Sequence, residues 1–499
     1  MSSTLSSEIL IADFGLEKSE RAVGYNYLVN FKQKLLSFFL ILFPLGIVFL
    51  IPISPFAAGY LEASHQVKNA YLSGEAAVEI EYGIKLLQFS PWRGDLWQRA
   101  GRLYMNNGDL EEAIDAFKHA DTLGQLDSQG KVWLADALLG LDEKDQAKEV
   151  LRGVSAEQDV FILMQTAALQ RRINDTFGAL NTLLSAYSLD SKNCELNYQL
   201  GIQLAAQEPD SAGQYLQVAL TDVRRQREAQ VLLDLLDNTK DIAGSVERFI
   251  YIGQALAQIE EWDVAARAFQ QAVDLDPDHA IGQALLAEAL QQMGEDGFPA
   301  LKKAMELDPD GEMVNGLVAL YFNRQGKPEV ALEYLKRALE ANPSAVVWEI
   351  ETANVLAQMG ELEDALKHYQ MAIQMDESNW VAWKALAVFS ISRNYEVNTI
   401  GLNAARKALL LYPNSPALLD LMGTGLMLLG DLDSAERYFL QADALDPDQA
   451  AILIHLGQVH IYSGEREIAF GYLRRAAEVA EESRLRDMAN RLLIENGGK

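Results

Sequence analysis

The chain has 499 residues, 71 Asp and Glu against 42 Lys and Arg, a formal charge of −29 and one cysteine, Cys194. That length exceeds one compact core of ordinary design, so the chain is either several domains or a linear stack of repeats. A single cysteine excludes an internal disulfide framework and a cysteine-based metal cluster, and the acidic balance excludes nucleic acid as a partner, because such a surface repels phosphate.

The charge is not evenly spread. Lys18, Arg21, Lys32 and Lys34 cancel Glu8, Asp13, Glu17 and Glu20, so the whole excess lies after Tyr60. Residues 1–34 read as a serine-rich, unstructured tail. Leu35 to Ile53, LLSFFLILFPLGIVFLIPI, carries no charge and as a helix is long enough to cross a hydrocarbon core of ~30 Å. Pro44 and Gly46 are breaks that membrane helices tolerate. A cleaved signal peptide is the competing reading, since Ala57-Ala58 offers small residues downstream, but the long leader argues against it. Lys32 and Lys34 precede the span closely, whereas the first lysine after it is Lys68. The positive-inside rule therefore predicts a single-pass anchor, N-terminus in the cytoplasm and the rest of the chain on the opposite side.

Helical hairpins begin near Tyr60. The first, His65–Leu72 and Ala76–Leu87, is degenerate. The second is clear: Trp97, Ala100, Gly101 and Tyr104, then an Asn107-Gly108-Asp109 turn, then Ala113, Phe117 and Ala120. Small Gly101 and Ala113 let two helices approach closely, while Trp97, Tyr104 and Phe117 fill the space around them. The cleanest unit is Phe249 to Pro277. Ile252, Gly253 and Leu256 stripe a first helix, Ala265, Ala268, Phe269 and Ala272 a second, and Asp276-Pro277 stops it.

This unit recurs. Ala319, Phe322, Gly326, Ala331, Leu335, Ala338 and Pro343 form one copy, and Ala353, Leu356, Gly360, Ala365, Tyr369 and Ala372 another. Met422-Gly423, Leu426, Gly430, Ala435, Phe439, Ala442 and Pro447 form a third, and Leu456-Gly457, Gly464, Ala469, Leu473 and Ala476 the last. The pattern, with its period of about 34 residues, resembles the tetratricopeptide repeat family. The resemblance implies an all-α fold: a right-handed α-solenoid of about twelve hairpins following the N-terminal transmembrane helix.

Departures from the pattern set the domain plan. Hairpins on Ala135/Ala147, Ala167/Ala179 and Gly201/Ala212 keep the small residues and lose most aromatics. Gly294, Gly297 and Pro299 shorten one second helix, and the hairpin from Trp383 carries extra residues around Arg393–Asn398. Between Thr221 and Ser245 the period breaks. Residues 221–245 are therefore read as an irregular connecting helix between a first stack, 60–220, and a second, 247–482. Residues 483–499 read as a polar-faced helix capping the last repeat.

No constellation for chemistry emerges. His455 and His460, five residues apart, lie about 500° around a helix and do not share a face. Carboxylates sit in turns or before closing prolines, where they cap helices. Phosphate loops, zinc helices and serine elbows are missing from the sequence. No enzyme activity, metal or cofactor is expected. The family resemblance implies instead a protein or peptide bound in a concave groove lined by first helices. Candidate contacts are Asn323, Arg324, Asn354, Gln358, Lys384 and Tyr462, with Arg224, Arg225 and Arg227 able to receive a partner carboxylate or phosphate or to pair with neighbouring acids. The implied function is a membrane-anchored scaffold organising a membrane or envelope complex, or else a non-catalytic regulatory subunit of an envelope polysaccharide or protein assembly enzyme.

Overall fold

The computed structural model describes residues 58–69, 76–154, 158–480 and 483–498, and every regular element among them is helical. Among the described residues no helix is long and apolar enough to cross a membrane. The expected span, 35–53, lies outside the described residues.

The contacts divide the chain into two compact units, Met1–Val150 and Leu151–Lys499. The first unit contains α1 (58–69), α2 (Ala76–Phe89), α3 (Gly94–Asn107), α4 (Leu110–Thr122) and α5 (Ser128–Gly140), and the boundary falls inside α6 (Lys144–Arg152). Ala63, Val67 and Leu86 join α1 to α2. In the next pair, a Cβ on Gly101 of α3 would lie 2.7 Å from the Phe117 ring of α4, so the ring packs directly on the glycine backbone.

The second unit begins with α7 (Val160–Arg172), α8 (Thr176–Leu189), α9 (Cys194–Ala205) and α10 (Pro209–Ala219). A lone α11 (Gln226–Asn238) and a 3-10 turn, Lys240–Ile242, occupy the interval where the sequence period breaks. The pairs resume with α12 (Val246–Gln258) and α13 (Trp262–Leu275), α14 (Ala280–Gln292) and α15 (Phe298–Leu307), then α16 (Glu312–Arg324) and α17 (Pro328–Ala341). They continue with α18 (Val346–Met359) and α19 (Leu362–Met375), α20 (Trp380–Ser392) and α21 (Leu402–Leu411). The unit ends with α22 (Pro416–Leu428) and α23 (Leu432–Leu445), α24 (Ala450–Tyr462) and α25 (Arg466–Val479), and a single α26 (Ser483–Glu495). Each second helix from α13 onward packs on the first helix of the next pair, and successive first helices from α14 to α24 also touch.

The seams follow the residues that the periodicity marks. Gly253 and Gly423 back onto the rings of Phe269 and Phe439, and the alanines Ala265, Ala272, Ala331, Ala338, Ala365, Ala372, Ala435 and Ala442 are fully buried. α15 is short, ten residues, and at its N-cap, Gly297, a Cβ would lie 2.2 Å from the Ala287 carbonyl oxygen. The extra residues after α20 are absorbed by a π-helical turn, Val397–Gly401, entered through Asn394 and Glu396 in the left-handed region. The period break does not interrupt the core: Ala229, Leu232 and Leu236 of α11 belong to the same buried cluster as Leu216 and Leu256 on either side.

Candidate interaction surface

Because α14, α16 and α18 lie side by side, residues at equivalent places on them form rows. Arg324 is the last residue of α16, and its guanidinium reaches back one repeat to the Glu288 carboxylate of α14, with Nη1 donating to Glu288 Oε2 at 2.9 Å and to Gln291 Oε1 at 3.0 Å. Such a forked Arg–carboxylate contact fixes both groups in plane. On α18, Asn354 accepts a 2.6 Å bond from the buried Tyr369 hydroxyl and donates to Glu351 at 3.3 Å. Loss of solvent pushes the Glu351 carboxyl above the ordinary glutamate range. Asn354 opposes that shift, and the negative field of Glu288 adds to it.

The row thus joins Arg324, Glu288, Gln291, Glu351 and Asn354 in one polar patch. Gln291 Nε2 of this patch, and Oδ1 of Asn323, the residue before Arg324, are buried with no hydrogen-bond partner. Unmatched buried polar atoms are uncommon in folded proteins and cost free energy until a partner supplies the bond. Sequence reading picked out Asn323, Arg324 and Asn354, and missed Glu288, Gln291 and Glu351. Part of the signal lies in the polar run Glu349, Glu351, Thr352 and Asn354 inside the largely apolar helix VVWEIETANVLAQM.

The other sequence candidates lie elsewhere. Gln358 is exposed near the end of α18 and Tyr462 is 63% exposed at the end of α24. Lys384 on α20 sits over the Trp380 ring, 5.9 Å from its centroid. The three arginines around the start of α11 go to three different neighbours. Arg224 pairs with Asp222, Arg225 with Glu195 while lying over Tyr198, and Arg227 lies over the Tyr412 ring at 4.5 Å.

A second polar cluster ties distant parts of this unit together. Arg171, at the end of α7, binds Asp263 (2.8 and 2.5 Å) and Glu261 (2.5 Å) at the start of α13. Arg267 joins Asp263 at 2.8 Å and Gln203 at 2.6 Å. Burial works against ionisation of Asp263, yet Arg171 and Arg267 together outweigh it and hold the carboxyl below its usual range. Beside this cluster lies an open pocket of about 570 Å³, lined by amides (Gln207, Gln270, Gln271) and apolar side chains (Leu286, Leu290, Met293). Three of the six histidines meet separate carboxylates: His368 with Glu349, His455 with Asp420, His460 with Glu465. Among the described residues no group of three or more His, Cys, Asp or Glu is placed to hold a metal ion.

Comparison with known proteins places this arrangement. Tetratricopeptide repeat models match residues 94–123, 252–312 and 319–380. The human Protein O-mannosyl-transferase TMTC1 is 27% identical over 214 residues, which is 42% of this chain and 24% of that protein, so the chain spans about a quarter of that relative's length. Among solved structures, yeast Tom70 aligns with 88% of this chain and 95% of its own at 14% identity and a TM-score of 0.43. A chain of the APC/C hetero-tetramer Cut9-Hcn1 aligns with 89% of this chain and 98% of its own at 14% identity and a TM-score of 0.39. The matched segments contain the Gly101–Phe117 and Gly253–Phe269 seams and the turn glycines Gly108, Gly326 and Gly360, and the chain is a multi-repeat protein of the tetratricopeptide repeat family.

Proposed function

We propose that this protein is an interaction scaffold that residues 35–53 anchor in a membrane, and that its second unit holds a protein or peptide segment against the first helices. Tetratricopeptide repeats support the scaffold reading. The observation that carries the site is the patch on α14, α16 and α18. There Gln291 Nε2 and Asn323 Oδ1 are a buried donor and a buried acceptor lacking partners, beside an Arg324–Glu288 pair. A donor and an acceptor lacking partners suit the amide groups of an extended peptide, which offers both. On the positive-inside rule, Lys32 and Lys34 before the span would put the N-terminus in the cytoplasm and the repeats on the far side of the membrane.

Affinity capture of the full-length chain after gentle solubilisation tests the proposal. A defined partner is expected with the wild-type chain and is lost with Arg324→Glu and Lys384→Glu. Retention of that partner by the altered chain would place binding elsewhere. A second reading rests on the relative named as an O-mannosyl-transferase: the chain would serve as a non-catalytic regulatory subunit of a glycan- or protein-assembling enzyme. Under that reading the captured partner is itself an enzyme, and its turnover changes on adding the chain.

A further inference from the structure

The first unit carries a feature that its overall charge hides. Residues 61–150 contain sixteen acids and nine Lys and Arg. Four of those nine cations, Lys68, Arg93, Arg99 and Arg102, line a single groove of about 730 Å³, together with only two of the acids, Asp95 and Asp127. The periodicity makes this placement. Ser64 and Lys68 share one face of α1, and Asp95, Gln98, Arg99 and Arg102 share one face of α3.

Both groove acids are already engaged. Asp95 is gripped by Arg93, whose Nη1 also donates to the Tyr60 hydroxyl at 3.0 Å. Asp127 accepts from the Gly130 amide at 2.7 Å, capping α5, and from Gln98 Nε2 at 2.8 Å. Arg102 has its guanidinium 5.7 Å from the centroid of the Trp133 ring. A guanidinium on an aromatic face keeps its N–H edges available for an acceptor. Lys68 is exposed at the other wall. The groove's local balance is thus positive inside a strongly negative chain.

We infer that this groove binds an acidic peptide segment of a partner protein, with carboxylates on Arg102 and Lys68 and apolar atoms against Trp133. This site is independent of the one proposed on the second unit. Three features select that occupant. The excess positive charge is confined to a groove, which a flat anionic surface would not enter. The surrounding acids repel long polyanions whose charge extends beyond the groove. The walls also offer Gln98, Gln125 and Ser64 as neutral hydrogen-bonding partners for a peptide backbone.

The experiment uses the full-length chain and fluorescence anisotropy with two labelled decapeptides, one alternating Glu and Ala, the other Lys and Ala. The Glu–Ala peptide is expected to bind, and more weakly on going from about 50 to about 500 mM salt. The paired substitution Lys68→Glu and Arg102→Glu is expected to weaken binding by roughly tenfold or more, because each change replaces attraction by repulsion. The neutral pair Lys68→Gln and Arg102→Gln, both at exposed positions, is expected to weaken it less while leaving the circular dichroism unchanged. Arg324→Glu in the second unit should leave it unaltered. Equal binding of the Lys–Ala peptide, or unchanged binding by both paired variants, overturns the inference. So does a charge-dependent loss of binding to phosphatidylserine vesicles with no Glu–Ala binding, which would identify a lipid surface as the occupant.

Discussion

Glu351 is where the candidate patch has the most to say about pH. Its folded-state value is raised, chiefly by loss of solvent. The folded chain therefore holds this proton more tightly than the unfolded chain. Stability is greatest with the group protonated, falls as pH rises from the ordinary glutamate range through the raised value, and is level beyond it. Glu351→Gln removes the titration, so thermal unfolding at pH 7.5 should occur at a higher temperature than in the wild type, with the difference shrinking towards pH 4. An equal difference at both pH values would mean that the substitution acts through packing. Asp263 behaves in the opposite sense, since its value is lowered and its contribution is lost as pH falls through that value. Removing its partner is the sharper test. Arg171→Ala leaves Glu261 without its partner and Asp263 with Arg267 alone in a largely enclosed site, and chemical denaturation should show a loss of about 3 kcal/mol. The pairing joins residues 92 apart in sequence, which no repeat period could indicate.

Among the elements, the hairpin seams were the most legible part of the sequence, because only glycine, alanine and one ring fit two helices at that separation. A Cβ at Gly253 would lie 2.4 Å from the Phe269 ring, so Gly253→Ala should destabilise by about 1–3 kcal/mol through overpacking. The loops were less legible. At the fourth position of several first helices a side-chain donor reaches the loop carbonyl six residues back: Trp97 to Pro91, Asn197 to Ser191, Gln283 to Pro277, Asn315 to Pro309 and Trp383 to Glu377. Three residue types do one job there, so pattern reading assigned Trp97 only a space-filling role and passed over Asn197, Gln283 and Asn315. The turn inside each hairpin shows the same substitution of chemistry. Gly360 takes a left-handed conformation at φ 87°, and at the matching place Glu260 is forced to 63°. A side chain pays roughly 1–2 kcal/mol there, partly offset by the greater freedom glycine loses on folding, so Glu260→Gly should stabilise the fold by about 0.5–1 kcal/mol in denaturant titration.

For the whole chain, the loss of period between Thr221 and Ser245 suggested a division into two stacks. A repeat pattern reports the spacing of helices, whereas cooperativity depends on which surfaces they bury. α11 lacks a partner hairpin helix, yet Ala229, Leu232 and Leu236, at spacings of three and four, give it an apolar stripe that continues the core from Leu216 to Leu256. The compact units separate instead at Val150, inside α6, where the sequence signals no break. Calorimetry of the full-length chain should accordingly show Leu216→Ala and Leu256→Ala lowering the same transition, each by the equivalent of about 2–5 kcal/mol for a fully buried leucine. Phe117→Ala, buried in the first unit, should lower a different and smaller one. If Leu216→Ala and Leu256→Ala moved two separate transitions, α11 would be a linker between independently folding stacks, and its buried stripe would contribute little to holding them together.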